Sequence, residues 1–228
     1  MNEQQPTPEA RELRLEVGDG EVGALLLMPP EPAALYVFAH GAGAGMRHRF
    51  MADLAARLAA HGVATLRYDF PYMAAGGRRP DRPPKLHAAV RAAVAKAAEL
   101  LPGVPLFAGG KSMGGRMTSG AAAEEELPGV RGLVFVGFPL HPAGKPGTTR
   151  ADHLVEVELP MLFLQGDRDK LADLVLLRPV VEHLAERATL HVVEGADHGF
   201  HVLKRSGRTD EEVMEELAGR VGGWVEGR

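Results

Sequence analysis

Apolar positions along this chain fall into short continuous runs that alternate with longer amphipathic stretches. Residues 13–17 and 22–28 are two strand-like stretches, and the turn chemistry of Gly18-Asp19-Gly20 between them predicts a β-hairpin. Residues 34–39 form an unbroken apolar run, as expected of a strand buried on both faces. Over 47–60, Phe50, Leu54 and Leu58 recur at helical spacing, and Gly62 follows the last of them as a stop signal. The alternation then continues. Strands are predicted at 63–68, 104–108, 133–136, 161–164 and 190–193. Helices are predicted at 85–101, 112–126, 172–187 and 210–225. Pro102-Gly103 ends the second helix, and Thr209 is placed to cap the last, whose first turn carries Glu211 and Glu212.

A hairpin followed by alternating strands and helices predicts an α/β fold, with a mainly parallel sheet and helices on both faces. Neither a repeat nor a linker divides the pattern, so residues 1–228 read as one domain, with 1–11 as a loose polar tail. In such sheets ligands collect at the carboxyl ends of the strands, so the loops that follow strands are where chemistry is expected. Composition narrows this further. Hydrophobic residues at 45% and charged residues at 25% are ordinary for a globular chain. A net charge of −4 gives no basic field for nucleic acid. Zero cysteines exclude disulfides, thiolate metal sites and a thiol nucleophile. The first residues lack a basic segment followed by an apolar run, and no stretch has the ~18 apolar residues of a membrane span. A soluble cytoplasmic protein is the expectation.

Four strand-end segments carry candidate chemistry. The first is Gly110-Lys111-Ser112-Met113-Gly114, a G-x-S-x-G between a buried strand and a helix. Reversal from strand to helix within so few atoms strains the serine backbone and needs small residues on either side, leaving Ser112 exposed above the sheet. A phosphate-binding loop would use the same Gly110-Lys111-Ser112. Its first glycine would then fall at Pro105, which has no N–H to offer a phosphate. The second segment is His40-Gly41-Ala42-Gly43-Ala44-Gly45, a loop nearly free of side chains that could bring backbone N–H groups to a developing oxyanion. The third is Gln165-Gly166-Asp167-Arg168-Asp169, where either aspartate could hold a histidine ring. The fourth is Glu194-Gly195-Ala196-Asp197-His198, with His201 as the fallback base. Serine, acid and histidine thus occur in the chain order of α/β-hydrolases.

From about residue 13 onward the chain resembles the α/β-hydrolase superfamily. It is most similar to a small lid-less branch near the dienelactone hydrolase-like proteins. That branch also holds a regulatory subunit of a histone acetyltransferase complex and a testis-expressed relative. The closer resemblance is carried by His40-Gly41-Ala42-Gly43-Ala44-Gly45, Arg67-Tyr68-Asp69-Phe70-Pro71-Tyr72 and Gly109-Gly110-Lys111-Ser112-Met113-Gly114-Gly115-Arg116. It implies Ser112 as nucleophile, His198 as base and Asp169, rather than Asp167, as the acid. It also implies backbone donors from Met113 and Ala42. Dienelactone hydrolases proper use cysteine, and where many relatives insert a helical lid this chain has only residues 139–158, so any lid is minimal.

The function expected is a serine esterase that cleaves small acyl esters through an acyl-enzyme, with no metal or organic cofactor and no nucleic-acid or membrane partner. The alternative is a non-catalytic hydrolase-like domain that serves as a binding module or complex subunit. The basic loop 76–85 invites an anionic ester if it overhangs the site, and is otherwise a solvated charged loop. Lys111 would meet either substrate or solvent. Asp69, before Phe70-Pro71, reads as a residue that ties down a turn.

Overall fold

The computed structural model describes residues 9–228. Residues 1–8 of the expected tail lie outside the described residues. Its last residue, Arg11, is not tail at all but opens β1 (Arg11–Val17), where it pairs with Leu26 of β2 (Gly20–Leu27). The remaining strands are β3 (Ala34–Ala39), β4 (Val63–Tyr68), β5 (Leu106–Lys111), β6 (Val130–Val136), β7 (Met161–Gly166) and β8 (Ala188–Val193). They form one eight-stranded sheet in the order β1-β2-β4-β3-β5-β6-β7-β8. The hairpin pairs antiparallel, β2 runs antiparallel to β4, and every later pairing is parallel.

Strand alternation divides the core in two. Leu35, Val37 and Ala39 of β3 join an apolar cluster with α3 (Pro83–Leu100) and α4 (Met113–Glu124). Ala34, Tyr36 and Phe38 join a second cluster with α1 (Arg49–Ala60) and α6 (Asp210–Glu226). Successive residues point to opposite faces, so an apolar run can only be a strand covered on both sides. A short α2 (Pro71–Ala74), with proline at its start, was not anticipated from the pattern. The helix expected over 172–187 is shorter. α5 spans Leu174–His183, capped by the Asp173 side chain on the Val175 N–H at 2.9 Å, and a single 3₁₀ turn, Ala185–Arg187, follows, opened by Ala185 at φ 52°. Another 3₁₀ turn, Thr149–Glu156, lies against α4.

Register brings the strand ends level. Ala39 is opposite Tyr68 and Gly110, Lys111 is opposite Val136, and Gly166 is opposite Val193. The loops that follow β3, β4, β5, β7 and β8 therefore leave the sheet at one edge.

Candidate active site

β5 runs three residues beyond the predicted end, to Lys111, and the chain turns at Ser112 with φ 52° and ψ −115°. A non-glycine residue in this region is strained, and here the strain is held by packing. A Cβ on Gly110 or on Gly114 would run into the Ala39 carbonyl, so β3 leaves no room for side chains on either side of the turn. The Ser112 N–H is bonded to Val136 O at 3.1 Å. Ser112 is thus the cap before α4, where the helix dipole is positive, rather than its first helical residue.

Ser112 Oγ lies 2.9 Å from His198 Nε2, and His198 Nδ1 lies 2.7 Å from Asp169 Oδ2. The carboxylate can only accept, so Nδ1 carries the proton and Nε2 is free to accept from the serine hydroxyl. The Asp169 side chain is fully enclosed. It also accepts from Gln165 Nε2 at 2.5 Å and from the Leu171 N–H at 2.8 Å, which fixes the orientation of the carboxylate. Of the candidate acids and histidines, these contacts join Asp169 and His198 to Ser112. Asp167 accepts from the Gly195 N–H at 2.8 Å, and His201 pairs with Asp210 at 2.8 Å, away from the serine.

The glycine-rich loop lies against the elbow, and a Cβ on Gly41 would be 3.7 Å from Ser112 Cβ. Among the described residues neither the Ala42 N–H nor the Met113 N–H has a hydrogen-bond partner. Other polar groups of the loop are held by the end of β4 and the chain that follows it. Met46 N–H donates to Asp69 Oδ1 at 2.7 Å, Arg67 donates to Met46 O at 3.1 Å, and Gly43 N–H donates to the Tyr72 hydroxyl at 3.1 Å. His40 is wholly buried, donates from Nδ1 to Gly41 O at 2.7 Å and accepts at Nε2 from the Phe70 N–H at 3.1 Å. Burial lowers its pKa, which agrees with the neutral ring that this pairing requires. Two of the distant motifs that carry the family resemblance, 40–45 and 67–72, are therefore physically linked: one holds the other. Asp69 does tie down a turn, but the turn is the loop beside Ser112.

A cavity of about 390 Å³ opens beside Ser112 and His198, lined by Ala42, Ala44, Phe50, Met51 and Leu171 together with the polar His48 and Lys111. No residue of the basic loop 76–85 lines it, and Asp81 there pairs with Lys85 at 3.3 Å. Lys111 turns to neither solvent nor the basic loop, but donates to His198 O at 2.6 Å. A second serine–histidine contact, Ser119 Oγ to His153 Nε2 at 2.7 Å, joins α4 to the 3₁₀ turn. Its hydroxyl proton goes to Arg116 O at 3.1 Å, so it is a packing contact between elements.

A model of the α/β-hydrolase domain matches residues 32–226, from the strand that leads into the glycine-rich loop to the last helix. The chain belongs to the α/β-hydrolase family. Among solved structures, this hydrolase is similar to an α/β serine hydrolase without a lid from Xanthomonas campestris, with a TM-score of 0.75 at 22% identity over 98% of each chain. A dienelactone hydrolase from Anabaena variabilis matches with a TM-score of 0.74 at 22% identity, over 96% of this chain and 97% of that one. An α/β serine hydrolase homologue from Coxiella burnetii matches with a TM-score of 0.74 at 20% identity, over 92% of this chain and 97% of that one. At these identities the likeness speaks for the fold. No helix among the described residues of the hydrolase is long and apolar enough to cross a membrane.

Proposed function

We propose that the protein is a serine hydrolase that cleaves small acyl esters, with Ser112 as nucleophile, His198 as general base and Asp169 as the acid that orients it. The observation that carries this reading is the continuous chain from Ser112 Oγ through both His198 nitrogens to Asp169, at 2.9 and 2.7 Å. Ser112 attacks the acyl carbon as His198 Nε2 takes its proton. The imidazolium then gives that proton to the departing alcohol, and an acyl-enzyme remains. Water attacks the acyl carbon, giving its proton to His198. Collapse releases the acid and returns the proton to Ser112. The Ala42 and Met113 N–H groups serve as oxyanion donors, a role supported by their lack of protein partners beside the serine. The apolar walls formed by Ala44, Phe50, Met51 and Leu171 favour a small acyl group that buries its carbon atoms there. We read residues 1–228 as one domain and the protein as working without a cofactor.

Labelling with a fluorophosphonate probe between pH 6 and 9 tests the reading. Wild type is expected to label covalently and Ser112→Ala to remain unlabelled. Failure of wild type to label would remove the catalytic account.

A further inference from the structure

Lys111 is the last residue of β5 and the neighbour of Ser112. As a residue it is half-buried, but its ammonium sits among groups of the site. Nζ donates to the His198 carbonyl at 2.6 Å. It lies 5.6 Å from the centroid of the Phe50 ring and 5.2 Å from that of Phe200. Those two rings stack on each other at 5.9 Å. Across from it is the backbone of Gly137, just past β6, where a Cβ would be 3.0 Å from Nζ. The titratable groups that face it are Asp169 from the loop after β7, and Asp197 and His198 from the loop after β8. From α1 come the Phe50 ring and, further along the cavity wall, His48.

His198 is thus held at two points. Asp169 holds its ring, and Lys111 holds its backbone. Phe200, two residues on, sits at φ 63°, a backbone state that packing must enforce. We propose that Lys111 is a positioning residue, tying the His198 backbone to the end of β5 and so setting the imidazole against Ser112. The inference rests on the hydrolase reading above. A charged donor makes a hydrogen bond about twice as strong as a neutral one, and only the ammonium is attracted by the ring faces. The tie is therefore strongest while the lysine is protonated. Burial pulls its pKa down from 10.5 to about 8, with Asp169 and Asp197 opposing the fall.

Two pH responses follow, and they have opposite signs. As the ammonium deprotonates near pH 8, the tie weakens and kcat falls, roughly threefold to tenfold by pH 9.5. Stability moves the other way. The folded lysine loses its proton near 8 and the unfolded one near 10.5, so between these values the unfolded chain binds more protons and folding is favoured as pH rises. A lysine with a merely structural role would not show kcat falling while its own contribution to stability grows.

The test measures kcat, KM and Tm from pH 6.5 to 9.5 for wild type, Lys111→Met and Lys111→Arg, with p-nitrophenyl acetate as substrate and Ser112→Ala as the blank. Lys111→Met is expected to lower kcat several-fold at pH 7 with little change in KM, and to abolish the alkaline fall. The Tm of wild type relative to Lys111→Met should climb above pH 8. Lys111→Arg stays charged throughout and is expected to remove the alkaline fall while restoring most of kcat, so it decides the matter if the methionine variant does not fold. The proposal is overturned if Lys111→Met keeps the wild-type kcat at pH 7, or if either variant keeps the fall near pH 8. The two failures are distinguishable. Absence of Ser112-dependent labelling removes the hydrolase reading, whereas a labelled enzyme with an unmoved pH profile removes only the role of Lys111.

Discussion

Asp69 is half-exposed at the end of β4, and its one strong bond is to the Met46 N–H, 23 residues earlier, at 2.7 Å. Met46 is also gripped from the other side, since Arg67 donates to its carbonyl. Together these bonds fix the far end of the loop that carries the Ala42 N–H. Asp69→Ala frees the Met46 N–H and leaves the loop to fluctuate, so the oxyanion donor is misplaced for part of the time. The expected result is a fall in kcat of about tenfold with KM changed much less, because a donor that acts on the developing charge contributes to the transition state more than to substrate binding. Circular dichroism should show the fold retained. Unchanged kcat would mean that the loop is held by Tyr72, His40 and Arg67 alone. This side chain also marks a limit of sequence reading. Position showed a turn-forming aspartate, but not which turn, because its partner lies in the loop after β3 and is an N–H that carries no sequence signature.

Elements whose signal is local are predicted and found. The Thr209 cap of α6 is one: Thr209 Oγ1 accepts from the Glu212 N–H at 3.2 Å, and the Glu212 carboxylate accepts in turn from the Thr209 N–H at 2.8 Å. Thr209→Ala leaves the Glu212 N–H without its side-chain partner, and is expected to cost about 1 kcal/mol in urea unfolding. Esterase activity should stay within about twofold, since α6 packs on the sheet face opposite α4 and supplies no wall of the cavity. Strand identities were legible for the same reason: runs such as Ala34–Ala39 are apolar at every position because both faces are covered. Errors gathered where tertiary contacts set the boundary. β5 reaches Lys111 because Gly110 and Lys111 pair with Phe135 and Val136, although glycines discourage a strand assignment. Arg11 joins β1 because the hairpin supplies Leu26 as a partner. α2 was missed because four residues are too few for a period, and α5 was overextended because Ala185 breaks it with a backbone angle that alanine rarely adopts. Ser112, Asp169 and His198 were singled out because each follows a strand in a parallel sheet, and the fold brings the three into hydrogen-bonding distance. Choosing Asp169 over Asp167 came from resemblance, and its physical reason, the enclosed carboxylate bonded to Gln165 and Leu171, required the fold.

At the scale of the molecule, access to Ser112 is set by what lies over the level strand ends. The segment after β6, where a lid would stand, does not cover the cavity. None of residues 139–158 lines it, and the 3₁₀ turn Thr149–Glu156 is fastened to α4 through His153 and Ser119. The cavity is walled instead by α1 and by the loops that carry the site itself, so no element has to move before an ester reaches the serine. Enzymes gated by an apolar lid gain rate when an interface draws the lid aside, because the closed state buries apolar surface that only lipid can cover. Here that closed state has no structural counterpart among the described residues. The rate with a short-chain glyceryl ester such as tributyrin is therefore expected to follow a simple hyperbola, with no jump where the substrate passes its solubility limit and forms droplets. Titration across that limit in a pH-stat is the measurement. A sharp rise at the limit would show that a segment closes over the cavity in solution, although Leu154 and Val157 pack 139–158 into the core beside the Ser119–His153 contact.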